Sequence, residues 1–138
     1  MNTNLSKEYR AAYTNDIRNG ASARRGIAGF AAECGFSEDE VSDIRLAAGE
    51  ALSNAFEYGS GTPKRKVRVT CTFDDGQLTI EIHDRGRGFP EPSVRSSIEP
   101  DDRGRGFGIF LMRRLMDEVS FAHNGTVVRL VRRQLRAR

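Results

Sequence analysis

Lysine is scarce in this chain: Lys7, Lys64 and Lys66 are the only three among 22 basic residues, and arginine supplies the rest. Histidine is limited to His83 and His123, and the two cysteines, Cys34 and Cys71, stand far apart. That leaves neither a C-x-x-C redox pair nor a Cys/His cluster, so both thiols read as free ones in a reducing cytoplasm. No apolar run approaches the ~20 residues that span a bilayer, and Met1 to Arg10 holds no apolar signal core. Membrane insertion and secretion are therefore not expected. Internal repeats and low-complexity tracts are also absent.

What is present suits one folded domain, residues 1–138. A chain of 138 residues hides roughly two thirds of its unfolded surface, enough for a core. Hydrophobic residues make up 38% and charged residues 30%, a globular balance. The net charge is +3, and arginine carries most of the positive side. Its planar fork suits phosphate. Arg129, Arg132, Arg133, Arg136 and Arg138 form a basic end that reads as solvated surface. It lacks the aromatic side chains on which single-stranded bases stack, so no direct nucleic-acid partner is expected.

Periodicity divides the chain. After an extended start near Lys7 to Tyr13, small and apolar residues recur at helical spacing through Ile17, Ala21, Arg24, Ile27, Ala28, Ala31 and Ala32. Gly35 is the expected stop. Ser37 and Glu40 form a capping box, with Phe36 and Val41 placed for a hydrophobic staple. The helix that follows presents Val41, Ile44, Ala48, Ala51, Leu52 and Ala55 inward, and Gly59 closes it. The period then changes to two: Val67, Val69, Cys71 and Phe73, an Asp75-Gly76 turn, then Leu78, Ile80 and Ile82. Asp84 to Arg103 is irregular and too long for an ordinary connection, which predicts a lid at about 89–103. A helix resumes near Gly106, and strands at Val119 to Ala122 and Thr126 to Val131 flank an Asn124-Gly125 turn. The expected fold class is α+β: a two-layer sandwich whose mostly antiparallel sheet is covered by helices on one face.

Three local signals carry chemistry. Glu50 and Asn54 lie four apart on the capped helix and project together. A carboxylate beside an amide oxygen can hold a magnesium ion and polarise a hydroxyl. Asp84 ends a strand, where a carboxylate can accept from an exocyclic amine, and Gly86 and Gly88 let the backbone approach a flat ring. Gly104, Arg105, Gly106, Phe107 and Gly108 open a helix. Amides at such an N-terminus make an anion site that Arg103 and Arg105 would reinforce. No Gly-Lys-Ser/Thr follows, which excludes a Walker A loop, and no βαβ unit surrounds the glycines. Taken in order, the three describe ATP binding with a metal and a base.

That order resembles the Bergerat-type (GHKL) ATPase/kinase superfamily, and within it the bacterial anti-sigma factor serine kinases of partner-switching pathways. The resemblance runs from the first strand to Gly125-Thr126-Val127-Val128-Arg129-Leu130, similar to the family's closing strand. It implies Glu50 as catalytic base, Asn54 as magnesium ligand and Asp84 as the adenine acceptor. It also implies that Gly86, Gly88, Gly104, Gly106 and Gly108 shape the nucleotide pocket and phosphate loop, in which Phe107 lies, with Thr126 on the closing strand. Many members carry His-Gly after the Asn helix, where this chain has Tyr58-Gly59. The implied cofactors are ATP and Mg2+. The implied partners are a sigma factor and an anti-anti-sigma protein of the STAS type, and the implied assembly is a homodimer through the N-terminal strand and helix.

The expected function is a cytoplasmic protein-serine kinase that phosphorylates its antagonist and sequesters a sigma factor. The alternative is a nucleotide-switched binding module without phosphoryl transfer, although adenine and phosphate binding alone need no base at Glu50. A self-phosphorylating histidine kinase is disfavoured, because neither His83 nor His123 lies on an upstream dimerisation helix.

Overall fold

The structure, a computed structural model, describes residues 6–58, 66–84, 105–123 and 125–135. Strand β1 (Lys7–Thr14) leads through a 3-10 turn (Ile17–Asn19) to helices α1 (Gly20–Glu33) and α2 (Glu38–Tyr58). Strands β2 (Lys66–Asp74) and β3 (Gln77–His83) follow, then helix α3 (Arg105–Leu115) and strands β4 (Glu118–Ala122) and β5 (Val127–Arg133). The expected α+β sandwich is borne out. Among the described residues, five strands form one antiparallel sheet in the order β1-β2-β3-β5-β4.

The period-two segments become strands because one face can be buried. Val67, Val69, Cys71, Leu78, Ile80, Ile82, Val128 and Leu130 all point into the core. Asp75 and Gly76 both have positive φ, 49° and 77°, as a type I′ hairpin turn requires. Helix α2 packs on the sheet and against both α1 and α3, and alanines at 47, 48, 51 and 55 let those neighbours approach. Burial keeps the thiols protonated; that of Cys71 is pushed up to about 12.

The buried face of α1 differs from the expected stripe. Ala23, Ile27, Phe30 and Ala31 face the core, while Ile17 is 72% exposed in the 3-10 turn ahead of the helix. Alanines occur on several sides of α1, so small residues alone do not define its face. The bulk of Ile27 and Phe30 decides, and Phe30 stacks on Tyr9 of β1 at 5.9 Å. The Asp16 side chain accepts from the Arg18 amide at 2.9 Å and holds the turn in which Ile17 sits.

The capping box forms as expected and does more. The Ser37 amide donates to Glu40 Oε1 at 2.9 Å, and the Glu40 amide donates to Ser37 Oγ at 3.1 Å. The second carboxylate oxygen accepts the Leu135 amide at 2.9 Å, which ties the chain after β5 to the start of α2. Burial pushes this carboxyl up, but the Ser37 and Leu135 donors and the Arg132 charge outweigh it, and the net shift is downward. A lowered folded value means the stabilisation is complete above the ordinary value of 4.5 and is lost as pH falls through the lowered one. Glu40→Ala should cost roughly 1.5–3 kcal/mol at neutral pH. Urea unfolding should show that difference at pH 7 and a smaller one in acid; a pH-independent difference would contradict the account.

The basic end is less solvated than its composition suggests. Arg132 is mostly buried and donates to the Leu115 carbonyl at 2.7 Å, which satisfies the end of α3. Arg133 pairs with Glu118, and Arg129 lies 3.8 Å from Glu81. Arg136 and Arg138 lie outside the described residues. Among the described residues, no helix is long and apolar enough to cross a membrane.

Candidate functional site

Because β5 inserts between β3 and β4, the end of β3 lies beside the start of β5, with His83 opposite Val127. The Asp84 amide donates to the Thr126 carbonyl at 2.8 Å, so strand pairing fixes the backbone of this aspartate. The residue is buried, at 9% exposure. Helix α2 crosses above and supplies Ala51, Asn54 and Ala55. These three, with Ile82, Asp84, Phe121, Gly125 and Val128, line one cleft between α2 and the sheet. The floor is apolar and built of small or branched side chains, and Asn54 and Asp84 are its polar groups. The free volume of the cleft is about 10 Å³, room for one water, so a flat heterocycle with an edge toward Asp84 requires the cleft to widen.

Glu50 stands one turn before Asn54, half-buried, and faces α3. A Cβ built on Gly108 would come within 2.7 Å of Glu50 Oε1, so the carboxylate lies directly against the first turn of α3. On its other side Glu50 borders a groove with Arg24, Ser42, Arg45, Leu46, Gly49 and Ser53. The stem of Arg24 lies over Gly49, and Leu46 is an exposed apolar side chain.

The structure thus brings together Asn54 and Asp84, which lie in different motifs, and places Glu50 beside Gly108. Phe107 is 47% exposed and packs its ring against Phe110 at 6.5 Å. Thr126 uses its hydroxyl locally, donating to the His123 carbonyl at 2.8 Å in the turn before β5. Gly86, Gly88, Arg103, Gly104 and the lid at 89–103 lie outside the described residues, as does Gly59. Of Arg105 and Gly106, only the helical backbone is described. Sequence reasoning missed Phe121 as a cleft wall, and gave Gly125 a place in the Asn124-Gly125 turn and at the head of the closing strand but not in the cleft. Its positive φ of 84° was signalled by the Asn-Gly pair, but its place in the cleft depends on the strand order.

Residues 13–132 match the histidine kinase-like ATPase domain. The chain belongs to that family. Within it, the chain is similar to the anti-sigma F factor of Clostridium botulinum (strain Eklund 17B / Type B). The two are 31% identical over 126 residues, covering 86% of this chain and 88% of that one. The anti-sigma F factor of Pasteuria penetrans is 32% identical over 130 residues, covering 88% of this chain and 87% of its own. Among solved structures, the crystal structure of the RsbU and RsbW domains of a Mycobacterium tuberculosis protein matches with a TM-score of 0.68. It covers 93% of this chain at 19% identity, and the chain spans 32% of that one's length. At that identity the likeness speaks for the fold. As a histidine kinase-like ATPase domain close to anti-sigma F factors, the chain bears out the family resemblance read from its motifs.

Proposed function

We propose that this family member is an ATP-dependent protein-serine kinase and anti-sigma factor. It would act in the cytoplasm on an anti-anti-sigma protein of the STAS type and sequester a sigma factor. The observation that carries the reading is the shared cleft of Asn54 and Asp84, with Glu50 one turn away on α2 and lying against the first turn of α3. Family membership and the likeness to anti-sigma F factors support it.

The adenine ring would occupy the apolar floor, its exocyclic amine donating to Asp84. Among the described residues, no cluster of three or more His, Cys, Asp or Glu could cage a metal. Magnesium needs no such cage, since it takes few protein oxygens and fills its shell with water and phosphate. Asn54, a half-buried residue of the cleft lining, offers an amide oxygen that fits that donor set. When bound, the ion would neutralise phosphate charge. Glu50 would accept the proton of a serine hydroxyl on the antagonist. The serine oxygen then bonds to the γ-phosphorus as the bond from that phosphorus to the β–γ bridging oxygen breaks, and ADP leaves. The new phosphate adds nearly two negative charges to the antagonist and would weaken its hold on the kinase, freeing it for sigma factor.

The test is transfer of labelled γ-phosphate to a co-encoded STAS-type protein. Stoichiometric ATP binding with no transfer to any such protein would instead mark a nucleotide-switched module. Assembly as a homodimer belongs to the same reading. Among the described residues β1 is an edge strand paired to β2 alone, so its outer edge is open to a second copy. Sedimentation at the mass of one chain at micromolar concentration would remove that part.

A further inference from the structure

Gly108 ends the Gly104 to Gly108 box, and the family resemblance places it in the phosphate loop with the other glycines. Its surroundings point elsewhere. It is the fourth residue of α3, at the inner end of the first turn, where amides begin to be taken up by the helix rather than left for an anion. It is buried, and a Cβ there would meet three atoms of one side chain: Glu50 Oε1 at 2.7 Å, Cδ at 3.7 Å and Cβ at 3.9 Å. Among the described residues no hydrogen bond or ion pair engages the Glu50 carboxylate, so packing against α3 is what confines it.

We propose that Gly108 is a positioning residue for Glu50: the notch left by its missing side chain seats the carboxylate and sets where its oxygens stand relative to Asn54 on the same helix. A glycine is needed here for clearance, since its backbone is helical. The atom that a methyl group would meet is the far end of a flexible side chain. Gly108→Ala should therefore fold, with alanine favouring the helix, and the carboxylate should swing aside. A base displaced by about 1 Å loses much of its effect.

This inference rests on the transfer reaction proposed above, so its test includes a readout that needs no turnover. In Gly108→Ala, turnover at saturating ATP should fall roughly 10- to 100-fold, with the KM for ATP nearly unchanged. Adding Glu50→Asp, which shortens the acid by one methylene, should restore part of the loss. Adding Glu50→Gln should give a protein no slower than Glu50→Gln alone, because two changes acting through one group are not additive. In parallel, carbon-13 NMR of the Glu50 carboxyl in the full chain should show its resonance moved by Gly108→Ala. A raised KM with unchanged turnover would place Gly108 in the phosphate loop and overturn the proposal, as would an unmoved carboxyl resonance. If the wild type transfers no phosphate yet the resonance moves, the positioning stands and the kinase reading falls.

Discussion

Glu50→Gln is expected to slow γ-phosphate transfer to the antagonist by about 10²–10⁴-fold, the usual worth of a positioned general base, while ATP still binds. The two side chains have nearly the same shape, so glutamine should enter the notch at Gly108 without disturbing α3. What it loses is the ability to take the serine proton. The experiment is single-turnover transfer from labelled ATP, with ATP affinity measured separately on the same preparations. Equal transfer by the two proteins would remove Glu50 from the role of base and leave positioning and charge neutralisation to account for the rate. Loss of both binding and transfer would point instead to a structural role at the α2–α3 contact.

Asp84→Asn should weaken ATP binding about 10- to 100-fold, since a hydrogen bond to a charged group contributes roughly 1.5–3 kcal/mol and each 1.4 kcal/mol is tenfold. The residue is buried at 9% exposure, so water cannot readily take the place of a lost partner. The backbone at this position is held by the bond to the Thr126 carbonyl and should stay where it is. Asparagine keeps an acceptor oxygen but gives up the charge and adds a donor. Discrimination against GTP should narrow as well, because a site built to accept from an amine rejects a carbonyl there by leaving its own group unpaired. Calorimetric titration of both nucleotides checks this. An unchanged ATP affinity would move the adenine contact away from Asp84.

Elements built on local chemistry are legible in the residues alone. The Ser37 and Glu40 box, the Asp75-Gly76 turn and the alternation from Val67 to Ile82 each involve neighbours within a few residues, where geometry follows from residue type. The face of α1 is only half legible: Ile27 and Ala31 lie on the expected stripe, but alanines on several sides let that stripe run through Ala28 and Ala32 where the structure buries Ala23 and Phe30. Contact with Tyr9 of β1 places Phe30 on the buried side. Arg132 illustrates the same limit, since its partner, the Leu115 carbonyl, is 17 residues away.

The candidate site divides in the same way. Residue order alone settles which chemistries are available: Glu50 and Asn54 share a helical face, a strand ends in an aspartate, and a glycine-rich turn opens a helix. The shortage of lysine, histidine and cysteine leaves arginine and the carboxylates to carry that chemistry. Which of these groups meet is settled in three dimensions. Insertion of β5 between β3 and β4 puts Asp84 against Thr126 and opens a cleft with Asn54, and the α2–α3 packing puts Gly108 under Glu50. Strand order and helix packing are chosen by total burial across the sheet, a sum over distant residues that no short stretch of chain contains.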